Sequence, residues 1–304
     1  MRWLSKALVA RVFSTIPFGD RLTYLVQRYV TRSLPTGDSK CAEIVSLARE
    51  HLELIQNHRA GALDRAVFYE FGAGCDLIVP LAFYAFGVNR QLLIDIRRLL
   101  RIDLVNTTIR KLQRLQSALE LSRTPTDLLP GEIPDALAAL DHGYGLEYRA
   151  PCDARATGLA DRSVDCITST NTLEHVPPAD IEWILRECHR ILRDDGCMSF
   201  RTDYQDHYSY FDPHISAYNF LRYSDRLWTV FSPSLHFQNR LRHADYCDLF
   251  HKTRFEIVEE RPERGSPADL ETVRRLPLAN RFRAYSAEDL AVRSSLVLLR
   301  KRGS

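Results

Sequence analysis

The sequence predicts an α/β fold, a mainly parallel sheet with helices on both faces. Three observations carry this expectation. Short β-branched or aromatic runs alternate with longer stretches of helical periodicity. The first such run, Val67-Phe68-Tyr69-Glu70-Phe71, ends in Gly72-Ala73-Gly74, a strand followed by a glycine turn. The composition is that of a chain with an ordinary core: 304 residues, 45% hydrophobic and 26% charged, enough to fold without disulfide or metal staples.

Residues 1–36 form a leader with six Arg or Lys against one acid, Asp20. Leu22, Leu25, Val26, Tyr29 and Val30 follow the i, i+3, i+4, i+7, i+8 spacing of an amphipathic helix. Two readings stay open: a helix packed on the main domain, or a surface that meets a membrane or a partner. Around 2–13 the basic side chains scatter about the helical wheel and do not choose between them. Pro35-Thr36-Gly37 closes the leader, and the main domain is expected over 37–304.

From Asp38 a helix carries the stripe Cys41, Ile44, Val45, Ala48, Leu52 and Ile55. The strand at 67–71 and its glycines come next, then an apolar helix to about Gly87. Gln91-Leu92-Leu93-Ile94-Asp95 reads as a second buried strand ending in an acid. A helix is expected over 97–121, then a loop through Pro130 and Pro134 to Gly143-Tyr144-Gly145. Strand-like runs recur at 146–149, 164–169 and 197–202. Ile181, Ile184, Leu185, Cys188, Ile191 and Leu192 make an amphipathic helix, which Asp194-Asp195-Gly196 stops as a C-terminal glycine would. Final strands are expected at 255–260 and 295–300.

The 41 basic and 39 acidic residues leave a net charge of +2. This lacks the concentrated basic excess of a nucleic-acid-binding domain. Seven cysteines, at 41, 75, 152, 166, 188, 197 and 247, are odd in number and show no C-x-x-C spacing. That argues against a disulfide framework or a zinc ribbon and fits a reducing, cytosolic setting. The longest apolar run, 77–88, is broken by Pro80 and too short to span a bilayer. The N-terminus lacks the apolar core and cleavage site of a secretory signal.

The chemistry lies at the strand ends. A dinucleotide fingerprint needs a third glycine where Leu77 stands, and Asp76 would repel a pyrophosphate. The P-loop lysine is also missing. The loop therefore suits a ligand that the backbone approaches closely, and not a phosphate. Glu70 could pair with a cationic ligand group. Asp95, 25 positions later, could chelate ribose hydroxyls. Asp153 could accept from an exocyclic adenine amine.

With these residues the chain resembles the class I S-adenosylmethionine-dependent methyltransferases, especially the small-molecule type 11 branch. The match runs from about 66 to 202, with terminal strands extending it to 301. Glu70-Phe71-Gly72-Ala73-Gly74 resembles the first motif and Leu93-Ile94-Asp95 the ribose-binding strand end. Asp153-Ala154 resembles the adenine-side acid. Ser163-Val164-Asp165-Cys166-Ile167 with Thr172-Leu173-Glu174-His175-Val176 resembles the fourth-strand motif. Arg186-Glu187-Cys188-His189-Arg190-Ile191-Leu192-Arg193-Asp194-Asp195-Gly196 resembles the helix and turn before strand five. The resemblance implies a Rossmann-like seven-stranded sheet whose last strand is antiparallel, and S-adenosyl-L-methionine as cofactor. It implies cofactor contacts from Glu70, Gly72, Ala73, Gly74, Asp95, Ile96, Asp153, Ala154 and Asn171. The stretch between Asp95 and Tyr148 is about twice the expected length, a helical insertion over 97–145. A methyl sulfonium is already activated, so neither a metal nor a covalent nucleophile is required.

Ten of the thirty aromatic residues fall within 203–242. This segment follows the fifth strand and reads as a lid, its rings forming either its own core or an acceptor pocket. His207 is the first candidate for general base and His175 the second, with Asp203 beside them in the expected catalytic set. Asp203, Asp206 and His207 could bind a metal, but their spacing is not distinctive, and no metal is assigned. Asp206-His207, Tyr218-Asn219-Phe220-Leu221-Arg222-Tyr223-Ser224, Trp228 and Asn239-Arg240-Leu241-Arg242 look like bacterial methyltransferases of surface-polysaccharide biosynthesis. That likeness implies a glycan hydroxyl or related small acceptor, lipid-linked or free, no nucleic acid, and a cytoplasmic enzyme held by residues 1–36 near the inner membrane face. The competing expectation is a non-catalytic, methyltransferase-like scaffold. A nicotinamide-dependent dehydrogenase is disfavoured by Leu77 and Asp76.

Overall fold

The computed structural model describes residues 3–303, so Arg2 of the leader lies outside the described residues. Parallel strands cannot be joined by a tight turn and need crossover connections. Helices between the strands provide them. The strands are β1 (Val67–Phe71), β2 (Arg90–Ile94), β3 (Leu146–Arg149), β4 (Val164–Thr170), β5 (Leu192–Asp203), β6 (Phe255–Glu263) and β7 (Ser294–Lys301). They form one sheet in the order β3-β2-β1-β4-β5-β7-β6. β1 to β5 pair in parallel, and β7 runs antiparallel to both β5 and β6. This is the expected Rossmann-like, seven-stranded sheet with its last strand reversed. The chain order reverses between β1 and β4, where such sheets open a crevice at their carboxyl ends.

Alternation along a strand sends successive side chains to opposite faces. Phe68 joins a core built with α3 (Asp38–His58), α4 (Ile78–Ala85), α5 (Ile102–Leu115) and α6 (Ile133–Tyr144). Its neighbour Tyr69 joins the other core, with α7 (Pro178–Ile191) and α9 (His243–Lys252). The stripe expected on α3 is buried at Cys41, Val45, Ala48, Leu52 and Ile55, with Ile44 half-buried.

Two local expectations are corrected. The stretch through Pro134 is a helix, α6, not a loop. Proline is harmless in a first turn, where its missing N–H would have had no partner. Gly145, at φ 66°, ends α6 in the left-handed conformation. Two helices between β2 and β3 account for the length of that connection. Gly196 does not cap a helix: α7 ends at Ile191, and Leu192 already pairs with Val164. Gly196 lies inside β5, where a Cβ would stand 2.8 Å from the Asp165 carbonyl oxygen. The sheet needs its small size.

The leader forms α1 (Trp3–Thr15) and α2 (Gly19–Leu25), which continues as a π-helical turn over Val26–Val30. The apolar stripe expected at 22–30 is not a buried face. Leu25, Tyr29 and Val30 are exposed, and Leu22 and Val26 are half-buried. α1 makes the packing contact instead. Trp3 sits 5.6 Å from Tyr208, 5.7 Å from Tyr223 and 5.0 Å from Phe231, ring centre to ring centre. These rings belong to a third core, in which Tyr208, Tyr218, Phe220 and Trp228 meet Phe282 and Leu290 from the C-terminal part. Most of the aromatic residues in 203–242 are spent on this core, while Tyr210 and Phe211 stay exposed. No described helix is long and apolar enough to cross a membrane.

Candidate active site

The crevice is built where β1, β2 and β4 end. Gly72 and Gly74 have φ of 77° and 79°, a region that L side chains rarely adopt. A Cβ on Gly72 would collide with Thr172, 2.4 Å from its Cγ2. The backbone here is left bare for close approach. One step back, Glu70 is wholly buried and accepts from Thr168 Oγ1 at 3.3 Å. Burial pushes its carboxyl up to about 8, since the charged form loses its hydration.

β2 ends in Asp95, 7% exposed, whose Oδ2 has no hydrogen-bond partner. Burial pushes this carboxyl up to about 7, against the pull of the Gly74 amide. An orphaned carboxylate oxygen at such a strand end is fitted to accept from ribose hydroxyls. Asp95, Ile96, Asp153, Ala154 and Gly72 line one cavity of about 170 Å³, together with His175 and Val176. Asp153 is not free in it. Arg155 grips both of its oxygens, at 2.6 to 3.0 Å, and holds the carboxyl below its usual range. Asn171 is exposed, with φ 51°, at the turn after β4, its amide bonded to the Arg201 carbonyl at 2.9 Å. Ala73 is buried beside the glycines. The structure thus gathers Gly72, Asp95, Ile96, Asp153 and Ala154 around one cavity. It sets Glu70 behind them as a buried acid.

A wider cleft of about 800 Å³ adjoins at Gly74 and Ile96. Arg97, Arg98 and Arg101 line it, facing Tyr24 and Gln27 of the leader and Leu235 of the lid. The Arg101 guanidinium lies 4.7 Å from the Tyr24 ring centre. Sequence reading missed this cleft, because the leader closes it from far away in the chain. The signal was the cluster of three arginines within five residues.

The lid brings a second group up against His175, which lines the cavity. His207 Nε2 is buried, has no hydrogen-bond partner and stands 3.4 Å from Asp203 Oδ2. Asp203 accepts from the Tyr210 hydroxyl and, at 2.9 Å, from the Gln205 amide. Burial opposes its charge, but His207, Tyr210 and Gln205 together hold it below its usual range. The His207 ring stacks on Tyr210 and lies 4.9 Å from the His175 ring. His175 Nδ1 donates to the Phe237 carbonyl at 2.7 Å. That fixes its tautomer and leaves Nε2 the acceptor. Desolvation by the surrounding lid, and then His207, push His175 down to about 4, so it is neutral at pH 7. The three residues expected for catalysis therefore do meet. Tyr210 completes the group at i+7 from Asp203, a spacing visible in the sequence but not read there.

Two other features of the lid prove structural. Asp206 accepts from the Tyr208 amide at 2.9 Å and from Asn219 at 3.1 Å, capping the turn that carries His207. In the string 239–242, Asn239 donates to the Leu173 and Val176 carbonyls, tying the lid to the turn before α7. Glu174, in that turn, is 2% exposed, and neither carboxylate oxygen has a partner. Sequence reading gave it no role.

A family profile described as a methyltransferase domain matches residues 126–200. The structure is similar to that of an S-adenosylmethionine-dependent methyltransferase from Methanosarcina mazei, 15% identical, with 83% of this chain and 98% of that chain covered and a TM-score of 0.47. It is also similar to an S-adenosylmethionine-dependent methyltransferase from Leishmania major, 11% identical, with 98% and 83% covered and a TM-score of 0.46. No curated protein matches the sequence. The profile match identifies a methyltransferase domain over 126–200, and the sheet order is that of the Rossmann-like methyltransferase fold, whose cofactor is S-adenosylmethionine and whose reaction is methyl transfer to an acceptor.

Proposed function

We propose that the enzyme methylates a hydroxyl oxygen, with His207 as general base, on a glycan or related acceptor carried by a phosphorylated lipid at the inner membrane face. The observation that carries the reading is the unpartnered His207 Nε2 beside Asp203, its ring 4.9 Å from that of His175, which lines the cavity. S-Adenosylmethionine supplies an activated methyl on sulfonium, so the protein must only position the acceptor and remove its proton. Asp95 would hold the ribose, and the bare backbone at Gly72 and Gly74 would admit the rest. His207 Nε2 would take the proton that the acceptor hydroxyl loses when its oxygen gains the methyl and the sulfonium carbon–sulfur bond breaks to leave a neutral thioether. Asp203 stabilises the resulting imidazolium, and Tyr210 and Gln205 keep Asp203 ionised. Arg97, Arg98 and Arg101 suit the phosphates of a lipid carrier, because guanidinium matches phosphate geometry. The lid likeness to surface-polysaccharide methyltransferases supports the glycan.

The test follows labelled methyl transfer into polar-lipid and glycan extracts. His207→Asn is expected to lower turnover about 100-fold while S-adenosylhomocysteine affinity stays unchanged. Unaltered turnover would remove His207 from the chemistry, and equal loss of both would make it structural. Cofactor binding with no transfer to any extract would favour the scaffold instead. Glu174 supports a second reading. Ligand atoms of Glu174, His175 and His207 lie within 4.8 Å of one another, a spacing able to hold a divalent cation. Activity abolished by a chelator and restored by one divalent metal would select it.

A further inference from the structure

We propose that α1 docks the enzyme on an anionic phospholipid surface, using the helix face turned away from the lid. At 100° per residue, Trp3, Ala7, Ala10 and Ser14 fall on one side. Trp3 and Ala7 are buried there, and the Trp3 amide donates to Asp212 Oδ2 at 2.9 Å. Leu4, Leu8 and Val12 recur on the other side and are 52%, 65% and 50% exposed. Val9 and Ile16 flank this stripe, and Phe18 in the following turn is 79% exposed. One exposed leucine is ordinary, but a contiguous apolar run on one helix face is not. A helix apolar on both faces has a further surface to cover. The patch extends onto α8 (Asp225–Phe231), where Leu227 and Val230 are exposed. Arg11 joins the two helices through the Thr229 carbonyl at 3.1 Å.

Charge selects the occupant. The leader holds six basic residues and one acid, and Arg11, Arg21 and Arg32 are exposed. A second copy would bring two basic leaders together, whereas an anionic bilayer complements them. At 13 residues, α1 is too short to span a bilayer and is suited to lie in its interface. Its inner face is fixed to the lid, so docking sets the lid beside the lipid. This inference stands apart from the proposed chemistry and does not need His207 to be a base.

Flotation of the full chain with vesicles tests it without any methyl transfer. Binding is expected to vesicles of phosphatidylcholine mixed with phosphatidylglycerol, weakening with salt, and little to phosphatidylcholine alone. Leu8→Glu with Val12→Glu should weaken it about tenfold or more, leaving thermal melting and S-adenosylhomocysteine affinity unchanged. Leu8→Ser, milder at an exposed site, should weaken it less. No binding to the anionic vesicles, equal binding to both compositions, or unweakened binding by the Glu variant would overturn the proposal. So would a solution dimer that Leu8→Glu dissolves in a chain that ignores vesicles, because that outcome assigns the face to a second copy.

Discussion

The crevice and the lid both bury charge, and they do so in opposite ways. In the crevice, Asp95 Oδ2 lacks a partner and burial raises its carboxyl. The Gly74 amide and the Arg97 charge offset only part of the lost hydration. In the lid, Arg242 is fully buried but donates to the Tyr204 carbonyl at 2.7 Å and to the Leu290 and Val292 carbonyls at 2.8 Å. Arg240, 2% exposed, donates to the Phe220 and Tyr223 carbonyls and to Asp225. Only the Nε of each arginine is unpaired. A buried charge whose bonds close within the protein holds the fold together. One left open is a seat for a ligand. The contrast separates residues that look alike in the sequence.

The largest effect should come from breaking the lid side. Arg242→Leu strands three buried carbonyls and is expected to cost about 3–5 kcal/mol of stability. Denaturant melting measures it, and S-adenosylhomocysteine affinity of the folded fraction should change only a few-fold. Unchanged stability with lost affinity would make Arg242 a ligand contact and erase the contrast.

The crevice side should respond through binding and pH. In the free protein, Asp95 holds its proton up to about 7, whereas an unfolded chain releases it near about 4. Between these values the native state binds more protons, so free-enzyme stability contributed by Asp95 falls as pH rises. Cofactor affinity should move the other way, because an ionised Asp95 accepts from both ribose hydroxyls. It is expected to strengthen with pH up to about 7 and then level. Asp95→Asn should remove that rise and cost about 1.5–3 kcal/mol of affinity, read by calorimetry. Affinity that stays flat with pH in the unaltered enzyme would show that Asp95 binds in its neutral form.

The sheet and most of the crevice were legible in the sequence, because local pattern dictates them. Phe68 and Tyr69 must face opposite sides of a strand, and Gly72 must admit a close neighbour. Asp95 ends a strand, and strand ends converge. The lid was legible only as a composition. The string at 239–242 read only as part of a family likeness, yet Arg240 and Arg242 are both buried, Arg242 by segments as distant as Leu290 and Val292. Exposure was equally hidden at α1, whose spacing carries apolar residues on both faces and therefore cannot say which one is covered. Pro134 misled for a local reason: a proline breaks a helix interior but not a first turn.

The smallest expected effect joins the two regions. Tyr210 is 54% exposed, so Tyr210→Phe should leave stability alone while removing the hydroxyl that donates to Asp203. A carboxylate that loses a donor is less stabilised in its charged form, so its pKa rises. Asp203 would then be protonated at a higher pH, and the acid limb of the rate profile should shift upward. At its optimum, turnover should fall by about two- to tenfold, the worth of one hydrogen bond of 0.5–1.5 kcal/mol. If Tyr210 acts only through Asp203 and His207, adding Tyr210→Phe to His207→Asn should cost nothing more. An additive loss would mean that Tyr210 touches the acceptor itself, making this exposed ring of the lid part of the substrate site.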